Sequence, residues 1–203
     1  MIAEGLAERI TARGLVLGVP LGGEVVAGLV EYLRLLSRWN QRINLTALPL
    51  DPIADAALDK LVLEPLVGAS LLPVPSRAWV DLGSGGGSPA LPLRLEARSG
   101  SLTLVESRSR KCAFLREAVR TMGLAGTVVA SERFESFSGG PFDVATFRAV
   151  RVDREFADFL VRILEPGGTV LSFGSTVLDS RFDATGERVL PDGSVLYAAM
   201  LRA

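Results

Sequence analysis

The chain has 203 residues, of which 22 are basic and 23 acidic, with 48% hydrophobic residues, one cysteine and no histidine. That length fits a single domain, residues 1–203, able to bury roughly 70% of its unfolded surface. The composition excludes a disordered chain, His-based metal sites, His general bases and a global basic field that would draw in nucleic acid.

No run reaches the ~18 uninterrupted apolar residues of a membrane span; the richest candidate, Leu61 to Val74, is broken by Glu64, Pro65 and Pro73. Glu4, Glu8, Arg9 and Arg13 are spread through the N-terminus, unlike a signal peptide. The expectation is a soluble cytoplasmic protein without membrane or metal partners. Cys112 cannot form an internal disulfide and is expected to be buried as a small apolar residue.

Helical spacing predicts helices over residues 2–13 (Ile2, Leu6, Ile10) and 24–39 (Val26, Leu29, Leu33, Leu36). Gly14 and the pair Gly22-Gly23 punctuate them. Asp51 followed by Pro52 reads as an N-cap with proline at the first helical position, opening a third helix through about Leu63. These three helices, within residues 1–70, predict a helical cap on an α/β core spanning residues 76–203.

From Ala78 the pattern alternates: strand 78–82, helix 89–98, strand 101–106, helix 109–122, strand 127–130, strand 142–147, a helix from about Asp153 to Leu164, and strand 169–173 after the turn Pro166-Gly167-Gly168. Such alternation means βαβ units and a parallel sheet. Arg188-Val189-Leu190 and Val195 to Leu201 flank Pro191-Asp192-Gly193-Ser194, so the sheet is expected to end in an antiparallel hairpin. Seven strands with the last reversed is the methyltransferase variant of the doubly wound, Rossmann-like sheet.

Between strand 78–82 and the following helix lies Asp81-Leu82-Gly83-Ser84-Gly85-Gly86-Gly87-Ser88, and the next strand ends in Glu106. Glycines let a ligand approach the backbone, the following helix offers free N–H groups, and an acid at the second strand tip suits ribose hydroxyls. Dinucleotide enzymes want G-x-G-x-x-G, but from Gly83 the third position is Ser88. A carboxylate beside the glycines is a poor neighbour for a pyrophosphate and a good one for an amine and a sulfonium. These features point to S-adenosyl-L-methionine, with Asp81 toward the methionine amine, Gly83, Gly85 and Gly87 admitting the ligand, and Glu106 on the ribose diol.

With these elements placed, the chain resembles the bacterial small-subunit (16S) rRNA guanine-N7 methyltransferases, the glucose-inhibited division protein B family. Trp39-Asn40-Gln41-Arg42-Ile43-Asn44-Leu45-Thr46 is similar to the family's Trp-Asn…Asn-Leu-Thr segment. So are the loop Asp81 to Pro89, Val105-Glu106-Ser107 with Arg110-Lys111 and Phe114-Leu115, Arg133 to Phe137, and Phe142-Asp143 with Arg148-Ala149-Val150. The likeness runs from about residue 25 to 175.

The resemblance implies a class I S-adenosylmethionine-dependent methyltransferase fold and N7-methylation of a guanine in 16S rRNA. It implies cofactor contacts at Ser88, Phe134 and Glu135, an active-site role for Arg148, no general base, and a monomer acting on 16S rRNA or the small ribosomal subunit. Ala90 stands where the family usually has glycine, and Phe147 where it has serine, so Phe147 is expected to narrow the substrate pocket. Basic residues usual in the substrate half are missing from Asp55 to Lys60, from Leu171 to Gly174 and after Gly193. Another methyl acceptor (a small molecule or a protein) and a non-catalytic cofactor- or RNA-binding paralogue are the alternatives. Trp39 is expected in the core, with Asn44 and Thr46 capping the turn after it.

Overall fold

A computed structural model describes residues 2–73, 77–97, 100–174 and 179–202. The expected helix end at 98 and the expected core boundary at 76 lie outside these residues. The first two helices form where the spacing places them, α2 over Gly23–Asn40 and α1 over Ile2–Val16, but α1 runs through Gly14, three residues past its expected end. Val26, Leu29, Val30, Leu33 and Leu36 make the buried stripe of α2, and α1 adds Leu6 and Ile10 to the same core.

The third helix departs from expectation. It begins at Asp55, and Asp51-Pro52 instead forms a turn closed by an antiparallel bridge between Leu50 and Ile53. Burial of Leu50 holds that turn against the core, and Arg9 Nη2 donates to the Ile53 carbonyl at 2.9 Å. Arg13 of α1 also holds two acids of this segment, bonding Asp59 from Nε at 2.7 Å and Asp55 from Nη1 at 3.0 Å. The segment continues as α3 (Asp55–Leu58), a π-helical turn (Asp59–Leu63), α4 (Glu64–Val67) and a 3-10 turn (Gly68–Leu71).

The remaining elements are β1 (Ala78–Leu82), α5 (Ala90–Glu96), β2 (Ser101–Val105), α6 (Ser109–Thr121), β3 (Thr127–Ala130), β4 (Phe142–Arg148), α7 (Arg154–Ile163), β5 (Leu164–Phe173), β6 (Phe182–Val189) and β7 (Val195–Leu201). They build one seven-stranded sheet in the order β3-β2-β1-β4-β5-β7-β6, with β7 antiparallel to both of its neighbours. This is the α/β architecture of class I methyltransferases. The chain winds outward from β1 to β3 and returns to β4, so the switch point lies between the carboxyl ends of β1 and β4.

Two boundaries differ from the sequence reading. Asp153 caps α7, its Oδ1 accepting from the Phe156 N–H at 3.1 Å, but the helix runs straight into β5 at Leu164. Pro166-Gly167-Gly168 is therefore an irregularity inside the strand, where the pairing with β4 shifts register between Phe142 and Val144. Strand β6 starts at Phe182; most of its side chains are exposed, so it carries little apolar alternation to announce it.

Side chains alternate across the sheet. One face, with Trp79, Leu104, Val144 and Leu171, packs with residues of α1, α2, α5 and α6. The other, with Val80, Leu82, Ala145 and Phe147, packs with Phe156, Phe159 and Leu160 of α7. Phe147 belongs to this second face, its ring edge-on to Phe156 at 4.9 Å. It therefore does not narrow a pocket beside Arg148; strand alternation turns the two side chains to opposite faces. Cys112 is buried and its thiol donates to the Glu106 carbonyl at 3.0 Å. Among the described residues no helix is long and apolar enough to cross a membrane.

Candidate functional site

The glycine loop is built from three sides. Gly83, Gly85 and Gly87 all have positive φ (72°, 50° and 88°), and the N–H groups of Gly83 and Ser84 bond the Val105 carbonyl of β2 at 2.9 and 3.1 Å. A Cβ on Gly87 would lie 2.4 Å from Leu91 Cδ1, so this glycine serves close packing of α5. Tyr32 of α2 donates its hydroxyl to the Gly86 carbonyl at 2.7 Å. A Cβ on Gly86 would crowd the Leu45 carbonyl at 3.2 Å, which places the Trp39–Thr46 segment directly over the glycine loop.

That segment is shaped by Asn40, whose Oδ1 accepts from the N–H groups of Leu45 and Thr46 at 2.8 and 3.0 Å. Thr46 Oγ1 accepts from the Leu48 N–H at 3.1 Å, while Asn44 is exposed. Asn40, rather than Asn44, is the turn-forming asparagine. The half-buried Trp39 donates from Nε1 to Glu117 of α6 at 2.9 Å and meets Phe114 edge-on, tying α2 to α6.

Glu106, at the tip of β2, is buried with both carboxylate oxygens engaged: Oε2 accepts from the Gly85 N–H at 3.0 Å and Oε1 from the Arg108 N–H at 2.8 Å. A carboxylate has roughly four lone-pair sites, so acceptor capacity remains. Gly83, Glu106, Phe134 and Glu135 line one cavity of about 450 Å³, together with Arg108 and Arg133. Phe134 is half-buried, packing edge-on against Phe156 at 5.3 Å while also lining the cavity. It is a core aromatic and a wall at once. Asp81, Gly85, Gly87 and Ser88 do not line this cavity; Ser88 lies two residues before α5, its Oγ buried and without a hydrogen-bond partner among the described residues.

Asp81 is 1% exposed. Its Oδ1 accepts from the Thr146 hydroxyl at 2.6 Å, and its Oδ2 has no partner among the described residues. Burial pushes its carboxyl up to about 6 and Glu106 adds to that, against the hydrogen bond of Thr146, the nearby Ser84 hydroxyl, which donates to the Asp81 backbone carbonyl at 3.1 Å, and the charge of Arg148. In the sequence Thr146 carries a single signal, a hydroxyl on a strand that is otherwise apolar at its centre.

Arg148 ends β4 with its side chain 13% exposed. Nη1 donates to the Lys60 carbonyl at 2.5 Å and lies 3.3 Å from Glu64 Oε2, while the guanidinium sits 4.9 Å from the centre of the Phe173 ring. Among the described residues Nε and Nη2 have no hydrogen-bond partner. Glu64, at the start of α4, is fully buried and also lies 3.2 Å from Lys60 Nζ, which bonds Asp192 in the β6–β7 turn at 2.6 Å. Burial raises the Glu64 carboxyl above its ordinary range, against the pull of Arg148 and Lys60, and burial lowers the Arg148 guanidinium, against the pull of Glu64. Glu64, Lys60 and Asp192 were not legible as a cluster in the sequence. Among the described residues no group of His, Cys, Asp and Glu could hold a metal ion.

The fold is shared with solved methyltransferases at low identity. A SAM-dependent methyltransferase from Aquifex aeolicus superposes with a TM-score of 0.59 at 12% identity, over 82% of this chain and 98% of that one. An RNA methyltransferase from Salinibacter ruber, solved with S-adenosyl-L-homocysteine, gives 0.53 at 20% identity, over 62% and 81%. Sequence relatives are nearer. The ribosomal RNA small subunit methyltransferase G of Stenotrophomonas maltophilia is 38% identical over 153 residues, 74% of this chain but only 66% of that relative's own length. The protein of the same name from Laribacter hongkongensis is 36% identical over 166 residues, 80% and 77% of the two chains. With the family model for rRNA small subunit methyltransferase G matching residues 26–187, the chain belongs to that family.

Proposed function

We propose that the protein is an S-adenosylmethionine-dependent methyltransferase that methylates N7 of a guanine in 16S rRNA. The observation that carries this reading is the crevice at the carboxyl ends of β1 and β2. There a cavity meets Gly83, Glu106, Phe134 and Glu135, and two residues before Gly83 a buried carboxylate oxygen of Asp81 lacks a partner among the described residues. A buried carboxylate without a counter-charge is costly, and a ligand ammonium relieves that cost. S-adenosylmethionine carries such an ammonium and supplies an electrophilic methyl group on its sulfonium.

In this reading Asp81 holds the ammonium, Glu106 takes the ribose hydroxyls with its remaining lone pairs, and Phe134 and Glu135 flank the adenine. Gly83 and Gly85 let the ligand approach the backbone, Gly87 sets the packing of α5, and Ser88 offers its unpartnered hydroxyl. Guanine N7 presents a lone pair and loses no proton, so the chain needs no general base, and holding the two reactants in line can supply roughly 7–11 kcal/mol. Arg148, at the tip of β4, serves the acceptor with Nε and Nη2, the donors that its own ion pair leaves open. The helices within residues 1–70 cap the cofactor-binding core of residues 76–203 in one domain. The enzyme works as a cytoplasmic monomer on the small ribosomal subunit or its 16S rRNA.

Two measurements test this. Calorimetry should show binding of S-adenosylmethionine and none of NAD; the reverse would overturn the cofactor. Mass mapping of rRNA nucleosides from cells with and without the gene should show loss of one 7-methylguanosine, and an unchanged map would remove rRNA as the acceptor.

A further inference from the structure

Strands β1 and β4 are parallel neighbours with Asp81 opposite Thr146. Trp79, two residues before Asp81, turns its side chain to the same face and donates from Nε1 to Thr146 Oγ1 at 3.0 Å. Thr146 donates in turn to Asp81 Oδ1 at 2.6 Å. All three residues are almost fully buried.

The direction of this chain of bonds is fixed by chemistry. An indole N–H only donates, so it occupies Thr146 Oγ1 as an acceptor, and the single hydroxyl proton of Thr146 is left to point at Asp81. Oδ1 must then be an acceptor, which favours the carboxylate form. Oδ2 remains as the oxygen without a partner.

We propose that Thr146, oriented by Trp79, is a positioning residue for cofactor binding: it fixes the rotation and charge of Asp81 so that Oδ2 is presented to the cofactor's ammonium. The proposal rests on the S-adenosylmethionine reading above and adds to it a residue pair outside the glycine loop. Charged and titratable groups facing Asp81 are Glu106 from the tip of β2, Arg148 from the tip of β4 and the Tyr32 hydroxyl from α2. None of them bonds Oδ1, and the Ser84 hydroxyl donates to the Asp81 backbone carbonyl, so among the described residues the hydrogen bond to Oδ1 comes from Thr146.

The test is calorimetric binding of S-adenosylmethionine between pH 5 and 8 by the wild-type chain and by Thr146→Val, Thr146→Ser and Trp79→Phe. Wild-type affinity should rise with pH through an inflection near 6, where Asp81 ionises. Thr146→Val keeps the shape and removes the donor, so the inflection should move up by about one pH unit, with affinity at pH 6 falling about fivefold and at pH 5 approaching tenfold. Thr146→Ser should restore the wild-type profile, and Trp79→Phe should shift it in the same direction as valine but less. Thermal unfolding of each variant, read alongside, identifies any that fail to fold; serine and phenylalanine variants then carry the comparison in place of valine. An unshifted profile in folded Thr146→Val would overturn the relay while leaving the cofactor assignment standing. Absence of binding by the wild-type chain would overturn both.

Discussion

The tips of β1 and β2 and the tip of β4 lie at the same end of one sheet and treat buried charge in opposite ways. At β1 the Asp81 carboxylate keeps one oxygen without a partner among the described residues, and at β2 the Glu106 carboxylate accepts from backbone N–H groups of the glycine loop and of Arg108 with lone pairs to spare. No cation closes either acid by an ion pair among the described residues. At β4 the Arg148 guanidinium is met by Glu64 from the helical segment, with Lys60 and Asp192 extending the cluster. An acid left without a cation is where a cationic ligand gains most. The buried Glu64 meets only Nη1 of Arg148, so the guanidinium braces the helical segment against β4 while Nε and Nη2 stay available in the proposed reading.

The comparison can be broken most forcefully on the far face of β4. Phe147→Ser empties a fully enclosed site against Phe156 and should cost at least the ~3–5 kcal/mol of a Phe→Ala change in a core, read by denaturant unfolding. A change below ~1 kcal/mol would mean that Phe147 faces a site rather than the core. Glu64→Ala comes next: it strands a buried guanidinium, and such broken pairs lose about 3–5 kcal/mol. The double variant Glu64→Ala, Arg148→Ala should recover part of that loss, and strict additivity of the two single changes would show that the pair does not couple.

Glu106→Ala has the smallest effect on folding and the largest consequence for the other region. Hydrogen bonds to a charged group are worth about 1.5–3 kcal/mol, so affinity for S-adenosylmethionine should fall roughly tenfold to over a hundredfold. The sequence alone suggests little effect on folding. The bonds from Gly85 and Arg108 add a modest loss of thermal stability from a loosened loop. Wild-type affinity in a folded variant would separate Glu106 from the ligand.

What the sequence determined here is local. Apolar spacing placed α2, the acid and glycines marked the turn after β1, Asp153 announced α7, and the alternation of elements gave the parallel sheet with a reversed last strand. Each of these is decided within a few residues by backbone sterics, capping or side-chain periodicity. The third helix start and the onset of β6 were missed because the deciding contacts lie elsewhere: burial of Leu50 and the arginines of α1 in one case, an exposed edge strand in the other. The site divides in the same way. Asp81 and Glu106 could be named from the motif, but their partners are 65 and 21 residues away, at Thr146 and Gly85. Glu64 and Arg148 likewise meet only after β4 returns beside β1 and the helices fold over it. Which oxygen of a buried acid is left open depends on strand register and on which face each side chain takes, and only the tertiary structure settles those.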